Sequence, residues 1–202
     1  MLSGVILAGG ENRRMNGRVK ALLPFEDSTF LQVQLREMKK VCAEVLVVTN
    51  QPDLFSFALD EQVRVIWDRT PGLGPLGGME AAFDEVRQRD VWIVGCDMPF
   101  LSGEVAQALA ELRTRSSYDA VIPVIKGKIQ PLHAIYHRDS GKGISRLLQK
   151  GMRQVKHFLD SIHCCYVEET FFENRSLPVQ FAENVNTPED YQKILDGGRG
   201  IN

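Results

Sequence analysis

Gly4-Val5-Ile6-Leu7-Ala8-Gly9-Gly10 lies at the start of the chain and runs into Glu11-Asn12-Arg13-Arg14-Met15-Asn16-Gly17-Arg18-Val19-Lys20. A short, wholly apolar run that empties into paired glycines reads as a buried strand of a parallel sheet ending in a turn. Gly9 and Gly10 lack a Cβ, so positive φ is open to them and their N–H groups can approach an anion. Arg13, Arg14, Arg18 and Lys20 follow closely and can neutralise it. The segment therefore reads either as an ordinary tight turn or as a polyphosphate cradle at a strand's carboxyl end. Neither common phosphate signature is present: Gly-x-x-x-x-Gly-Lys-Ser/Thr is absent and Gly-x-Gly-x-x-Gly fails here.

Outward from this segment, strand and helix patterns alternate. Thr29 to Val41 reads as a helix with Leu31, Leu35 and Met38 on one face, and Val45 to Thr49 as a second strand. A short helix over Asp53 to Leu59 leads to a third strand, Val63 to Trp67, and a loop from Asp68 to Pro75. Gly77 to Gln88 is expected to be helical, Val91 to Gly95 a fourth strand, and Glu104 to Arg113 a helix with Val105, Leu109 and Leu112 inward. Such alternation of apolar strands and helices predicts an α/β fold with a parallel sheet covered on both faces. Ligands then collect beyond the carboxyl ends of the strands. After Tyr118 the rhythm changes: Ala120 to Ile125, the turn Lys126-Gly127-Lys128 and Leu132 to Tyr136 read as a hairpin or strand pair. A helix over Ser140 to Lys150, a strand over Cys164 to Val167 and a helix from Pro188 to Leu195 follow. Thr187-Pro188-Glu189-Asp190 is a strong helix start, with Thr as N-cap and Pro at the first helical position. It does not explain Asn184 and Asn186 just before it. The chain is expected to form a single domain over residues 1–196, with residues 197–202 as a loose tail.

Composition sets bounds rather than a function. At 202 residues with 44% hydrophobic and 25% charged side chains, the chain is an ordinary globular mixture long enough for a sizeable core. A net charge of −2 gives no global case for nucleic acid or an anionic membrane, so any basic patch must be local. Apolar runs fall short of the ~20 residues that span a bilayer, and the apolar start is too short for a signal-peptide core. A cytoplasmic location is the expectation. Cys42, Cys96, Cys164 and Cys165 have no framework spacing and read as reduced thiols.

Val91-Trp92-Ile93-Val94-Gly95-Cys96-Asp97-Met98-Pro99 places a carboxylate just past a strand. Asp97 reads as a turn or cap residue, or as a magnesium ligand, since Mg²⁺ needs few protein carboxylates when phosphate oxygens complete its shell. Cys96 beside it reads as a small buried residue before it reads as a nucleophile. Asp68 follows the third strand on the same edge. Gly72-Leu73-Gly74-Pro75-Leu76-Gly77-Gly78 is either a flexible loop or a backbone surface for a flat base. His133 and His137 have zinc-pair spacing, but they fall on a strand and no Glu follows the first. No Gly-x-Ser-x-Gly elbow supports serine hydrolysis.

Leu7-Ala8-Gly9-Gly10-x3-Arg14-Met15-x4-Lys20, Gly74-Pro75-Leu76-x-Gly78, Cys96-Asp97-x-Pro99, Gln130-Pro131-Leu132 and Asn184-Val185-Asn186-Thr187-Pro188-Glu189 together resemble the molybdenum cofactor guanylyltransferases of the MobA type. The resemblance runs in the family's order from residue 4 to about residue 190. It implies a three-layer Rossmann-like fold with a mixed, mostly parallel sheet. It also implies nucleotide contacts at Leu7, Ala8, Gly9, Gly10, Lys20, Asn50, Asp68, Gly74, Gly78 and Asp97. Lys20, Arg14 and Asp97 would act on the phosphates, with Asp97 holding Mg²⁺. Gln130, Asn184 and Asn186 would line the pterin side, an asparagine alternatively completing the metal shell. Two departures stand out: Asn16 replaces the glycine of the family's Arg-Met-Gly, and Val19 precedes Lys20 where relatives carry a carboxylate or Pro. Asn tolerates positive φ; Val19 removes an orienting partner for Lys20. The implied activity is GMP transfer from GTP to molybdopterin, with transient contacts to proteins that deliver or accept the cofactor. Transfer from CTP, transfer to a sugar phosphate, or nucleotide binding without turnover are the alternatives.

Overall fold

The computed structural model describes residues 1–10, 15, 17–68, 70 and 72–198. In chain order these form β1 (Leu2–Leu7), a 3-10 turn (Lys20–Leu22), β2 (Pro24–Phe25), β3 (Ser28–Thr29), α1 (Phe30–Lys39), β4 (Cys42–Thr49) and a 3-10 helix (Pro52–Ala58). Next come β5 (Val63–Trp67), α2 (Pro75–Phe83), β6 (Asp90–Gly95), α3 (Gly103–Thr114), β7 (Ala120–Ile125), β8 (Lys128–Ile129) and β9 (His133–His137). A 3-10 helix (Arg138–Gly143), α4 (Ile144–Gln149), α5 (Val155–Leu159), β10 (Cys164–Val167), α6 (Glu169–Glu173), a 3-10 turn (Gln180–Ala182) and α7 (Pro188–Gly198) complete it.

The strands lie in the order β10-β7-β9-β6-β1-β4-β5, with β8 added to β7. β1 pairs in parallel with β4 and β6, as do β4 with β5 and β7 with β10. β9 runs antiparallel to β6 and β7, so the sheet is mixed and mostly parallel. Strand period 2 sends alternate residues of β1 to opposite faces. Leu2, Ile6 and Ala8 join Leu31, Leu35 and Met38 of α1 and Val105 and Leu109 of α3 in one core. Val5 and Leu7 join Leu76, Met79 and Phe83 of α2, with Ile144 and Phe158, on the other. That is a three-layer α/β architecture. From β1 the chain builds outward through β4 and β5, then returns across to β6 on the opposite flank. Both neighbours of β1 leave a crevice at their carboxyl ends, where ligands of open α/β sheets bind.

Local chemistry explains the boundaries. α1 starts at a capping box in which the Thr29 side chain accepts from Gln32 N and the Gln32 side chain accepts from Thr29 N. α2 starts at Pro75 and ends at Phe83, earlier than the Gln88 expected from sequence. The N–H of Arg87 instead donates to Glu44 Oε1 at 2.6 Å and that of Gln88 to Ser3 Oγ at 3.0 Å. Those side chains replace the helical carbonyl partners and pull the chain toward β6. The helix expected over Ser140 to Lys150 is divided into a 3-10 segment and α4, and in the first of these Gly141 lies on Phe83: a Cβ there would be 2.3 Å from the ring's Cγ. β7 turns back through Lys126 (φ 51°) and Gly127 (φ 69°), both left-handed as a type I′ hairpin requires, and pairs with β8 before β9 leaves to join β6. α7 runs through Gly197 to Gly198, so the helix takes in the first residues of the expected tail; residues 199–202 lie outside those described. Among the described residues, no helix is long and apolar enough to cross a membrane.

Candidate active site

The carboxyl edge around β1 gathers most of the residues singled out from sequence. Ala8 N donates to Val48 O at 2.8 Å, which holds the strand in register up to the glycines. Gly9 and Gly10 are exposed, and neither takes the positive φ expected of them. Gly9 instead gives Asp68 room: a Cβ would come within 3.3 Å of Asp68 Oδ2, a tight contact. A buried carboxylate thus lies against bare backbone. Asp68 is fixed there by its own N–H donating to Thr49 O at 2.8 Å and by Thr70 N donating to its Oδ1 at 3.1 Å.

Gly9, Gly10, Asn50, Asp68, Gly72 and Gly74 line a cavity of about 240 Å³. Here the positive φ falls on Gly72 (86°) and Gly74 (69°), the latter immediately before Pro75 opens α2. Their left-handed backbone bends the loop over the cavity. Gly78 plays another part: it is buried, and a Cβ would sit 3.2 Å from Leu7 Cδ2, so it permits α2 to pack on β1. Leu7 likewise points its side chain into that helix-facing core.

At the same edge of the sheet, on the β6 side of β1, three distant stretches of chain converge. Lys20 Nζ donates to Asn186 Oδ1 at 2.9 Å and to Asp97 Oδ2 at 3.3 Å. Asp97 follows β6 in a turn, and its carbonyl accepts from Val185 N at 2.8 Å, which seats the segment before α7 beside the turn. Thr187 Oγ1 accepts from Asp190 N, while Asp190 Oδ2 accepts from the N–H groups of Asn186 and Thr187. This reciprocal cap fixes the Asn186 backbone, and those two backbone donors hold the Asp190 carboxyl below its usual range. Val185 is buried between exposed Asn184 and half-buried Asn186, so only the second asparagine turns toward Lys20. Gln130 lines a separate cavity of about 220 Å³ with Lys126, Lys128 and Gln180. Arg14, Arg13 and Asn16 lie outside the described residues.

A carboxylate and a carboxamide oxygen converging on one cation form a hard donor set that fits magnesium. Among the described residues no three His, Cys, Asp or Glu side chains cluster as a metal site. An ion held by Asp97 and Asn186 would therefore complete its shell from phosphate oxygens and water. Two further residues shape the site without having been singled out. Gly95 leaves room for the carboxylate, since a Cβ would lie 2.6 Å from Asp97 Oδ1. Gln34, fully buried on α1, donates to Gly95 O at 2.9 Å and Met98 O at 2.8 Å. A polar residue within the apolar stripe Leu31, Leu35 and Met38 was its visible signal. Cys96 packs toward the core, and burial, with Asp97 beside it, pushes its thiol up to about 12, so it stays protonated. His133 is buried against Phe181 and Trp92, burial lowering it to about 3, while His137 accepts from Arg89; they do not form a metal pair.

A sequence model of the MobA-like NTP transferase domain matches residues 4–163. A protein of Geobacillus sp. named probable molybdenum cofactor guanylyltransferase is 32% identical over 197 residues, covering 96% of this chain and 98% of its own. One of the same name from Bacillus cereus is 35% identical over 191 residues, covering 94% and 93%. Among solved structures, molybdopterin-guanine dinucleotide biosynthesis protein A of Archaeoglobus fulgidus superposes with a TM-score of 0.85 at 22% identity, over 99% of this chain and 100% of that one. The 2-C-methyl-D-erythritol 4-phosphate cytidylyltransferase of Thermus thermophilus gives 0.69 at 15% identity over 98% and 100%, a likeness of fold.

Proposed function

The chain belongs to the MobA-like NTP transferase family and is a nucleotidyltransferase, and on that premise we propose that it transfers GMP from GTP to the terminal phosphate of molybdopterin, or its molybdenum form. The products are the guanine dinucleotide cofactor and pyrophosphate. The acceptor and base follow the names of the full-length relatives, which assign them to molybdenum cofactor guanylylation. The observation that carries the chemistry is the convergence of Lys20, Asp97 and Asn186 at the same carboxyl edge of the sheet as the Asp68 cavity.

The acceptor is a phosphate monoester with a second pKa of about 6, so it is largely ionised at neutral pH and needs no general base. Its oxygen forms a bond to the α-phosphorus while the bond from that phosphorus to the bridging oxygen breaks, the electron pair leaving with pyrophosphate. The protein's task is to align two anions and neutralise the charge that develops. Lys20 donates to the phosphates, and exposed Gly9 and Gly10 present backbone N–H groups to them. The Asp68 side of the cavity, with Asn50 and the Gly72 and Gly74 loop, takes the nucleoside. Asp97 and Asn186 would hold magnesium, which when bound supplies charge neutralisation across the phosphate oxygens.

Pyrophosphate release with molybdopterin and Mg²⁺, compared across GTP, CTP, ATP and UTP, tests the reading. Release with GTP alone is expected. Preference for CTP would replace the base, indifference to molybdopterin would replace the acceptor, and GTP affinity without release would make the protein a binder.

A further inference from the structure

We infer that Gln34 is a positioning residue that aims the Asp97 carboxylate. The inference rests on the reading of Asp97 as the metal-holding group. Gln34 is fully buried in α1, yet its amide nitrogen uses its two hydrogens on Gly95 O and Met98 O, at 2.9 and 2.8 Å. Those carbonyls flank Asp97 on either side. The turn's own backbone bond, Met98 N to Gly95 O, is 3.4 Å, long for an N–H to carbonyl bond, so the side chain closes the turn more firmly than its backbone does. The amide's orientation is set by chemistry, because the flipped amide would oppose its oxygen to two carbonyl oxygens.

Packing does not account for a glutamine here. Its Oε1 has no hydrogen-bond partner among the described residues, a cost that an apolar side chain in the Leu31, Leu35 and Met38 stripe would not carry. One helical turn further on, Glu37 Oε1 accepts from Gly103 N at 2.8 Å. α1 therefore grips the β6-to-α3 loop at its turn and again where α3 begins. Gly95, lacking a Cβ, gives the carboxylate its room, and that grip holds the backbone from which the carboxylate projects.

Gln34→Met and Gln34→Leu keep the site apolar and remove both donors. Isothermal titration with GTP, once with magnesium and once with chelator, separates the metal-dependent part of binding from the rest. For folded variants the expected result is GTP affinity within about twofold of wild type in chelator, while the gain on adding magnesium falls by about 10- to 100-fold, as when the supports of a metal ligand are removed. Faster amide hydrogen exchange at residues 96–98 should accompany it. An undiminished gain from magnesium in a folded variant overturns the positioning role, and so does failure of both variants to fold, which would make Gln34 a packing residue. If wild type shows no such gain, or Asp97→Ala keeps it, the reading of Asp97 itself fails.

Discussion

Lys20 holds its ammonium against two oxygens, Asn186 Oδ1 and Asp97 Oδ2, and a phosphate oxygen can take the place of either without loss of charge pairing. Lys20→Ala should weaken GTP binding by about 1.5 to 3 kcal/mol, the range of a hydrogen bond to a charged group; unchanged affinity on titration would remove Lys20 from the phosphates. Gly95→Ala tests the carboxylate's seat. The new methyl would stand 2.6 Å from Asp97 Oδ1, so the carboxylate must swing away. A misplacement of that kind can cost about 100-fold in turnover, and steady-state kinetics on the folded variant would show it; wild-type turnover would mean that the carboxylate's direction is unimportant. Lys20, Asp68 and Asp97 could be picked out from sequence because each sits close behind an apolar strand or its glycines. Gly95 could not, because its role lies in the atoms it approaches, and Gln34 shows in sequence only as a polar break in an apolar stripe, without its partners. Gln34 acts on residues 61 and 64 positions away, and nothing in a helical repeat encodes such a partner.

Elements with a long, clean period were legible; those made by contact were not. β5 and β10 have the bounds expected, and α1 lies within its predicted span. β2 and β3 are two residues each, too short for any period, and they exist because Phe25 and Phe30 pack with Tyr191 of α7 and Val185 in a third, smaller core. α5 and α6 are single-turn helices of five residues, for which amphipathic spacing carries little signal. The Gly9–Gly10 turn misled in the opposite sense: paired glycines suggested a left-handed bend, whereas the need is for an uncluttered approach by Asp68. Gly141 makes the same point between helices, where the 3-10 segment lies directly on the Phe83 ring. Gly141→Ala should destabilise the protein by about 1 to 3 kcal/mol through overpacking. Chemical denaturation would report this as a lower midpoint at unchanged slope, and an unaltered midpoint would mean that the ring moves aside freely.

Across the whole molecule, the edge of the sheet opposite the site is tied by a buried carboxylate. Glu44 accepts from Ser3 Oγ at 2.7 Å, from Arg64 at 2.9 Å and from Arg87 N, joining β1, β4, β5 and the approach to β6. Burial pushes its carboxyl up, but the hydrogen bonds from Ser3, Arg87 and Arg64 outweigh this and leave it below its usual value. A group lowered in the fold contributes stability that is complete above its unfolded value of about 4.3 and is lost as pH falls through the folded one. Glu44→Gln should therefore lower the melting temperature at pH 7 and flatten its further decline between about pH 5 and pH 3; parallel declines would show that Glu44 does not carry acid sensitivity. The global order of strands is less legible than their existence. The return from β5 to β6 across β1 creates the crevice, and β9 reverses to fit between β6 and β7. Neither follows from a local pattern. The bond from Val185 N to Asp97 O has a consequence in time. A ribosome adding roughly 5–20 residues per second makes Lys20 and Asp97 long before Asn186, on the order of ten seconds after the first of them. Until then Lys20 lacks one of its two oxygens and the Asp97 turn lacks its outer strut. A nascent chain therefore holds an unfinished cluster, and a message cut short before Asn186 yields a protein without that third group, however much of the sheet it has built.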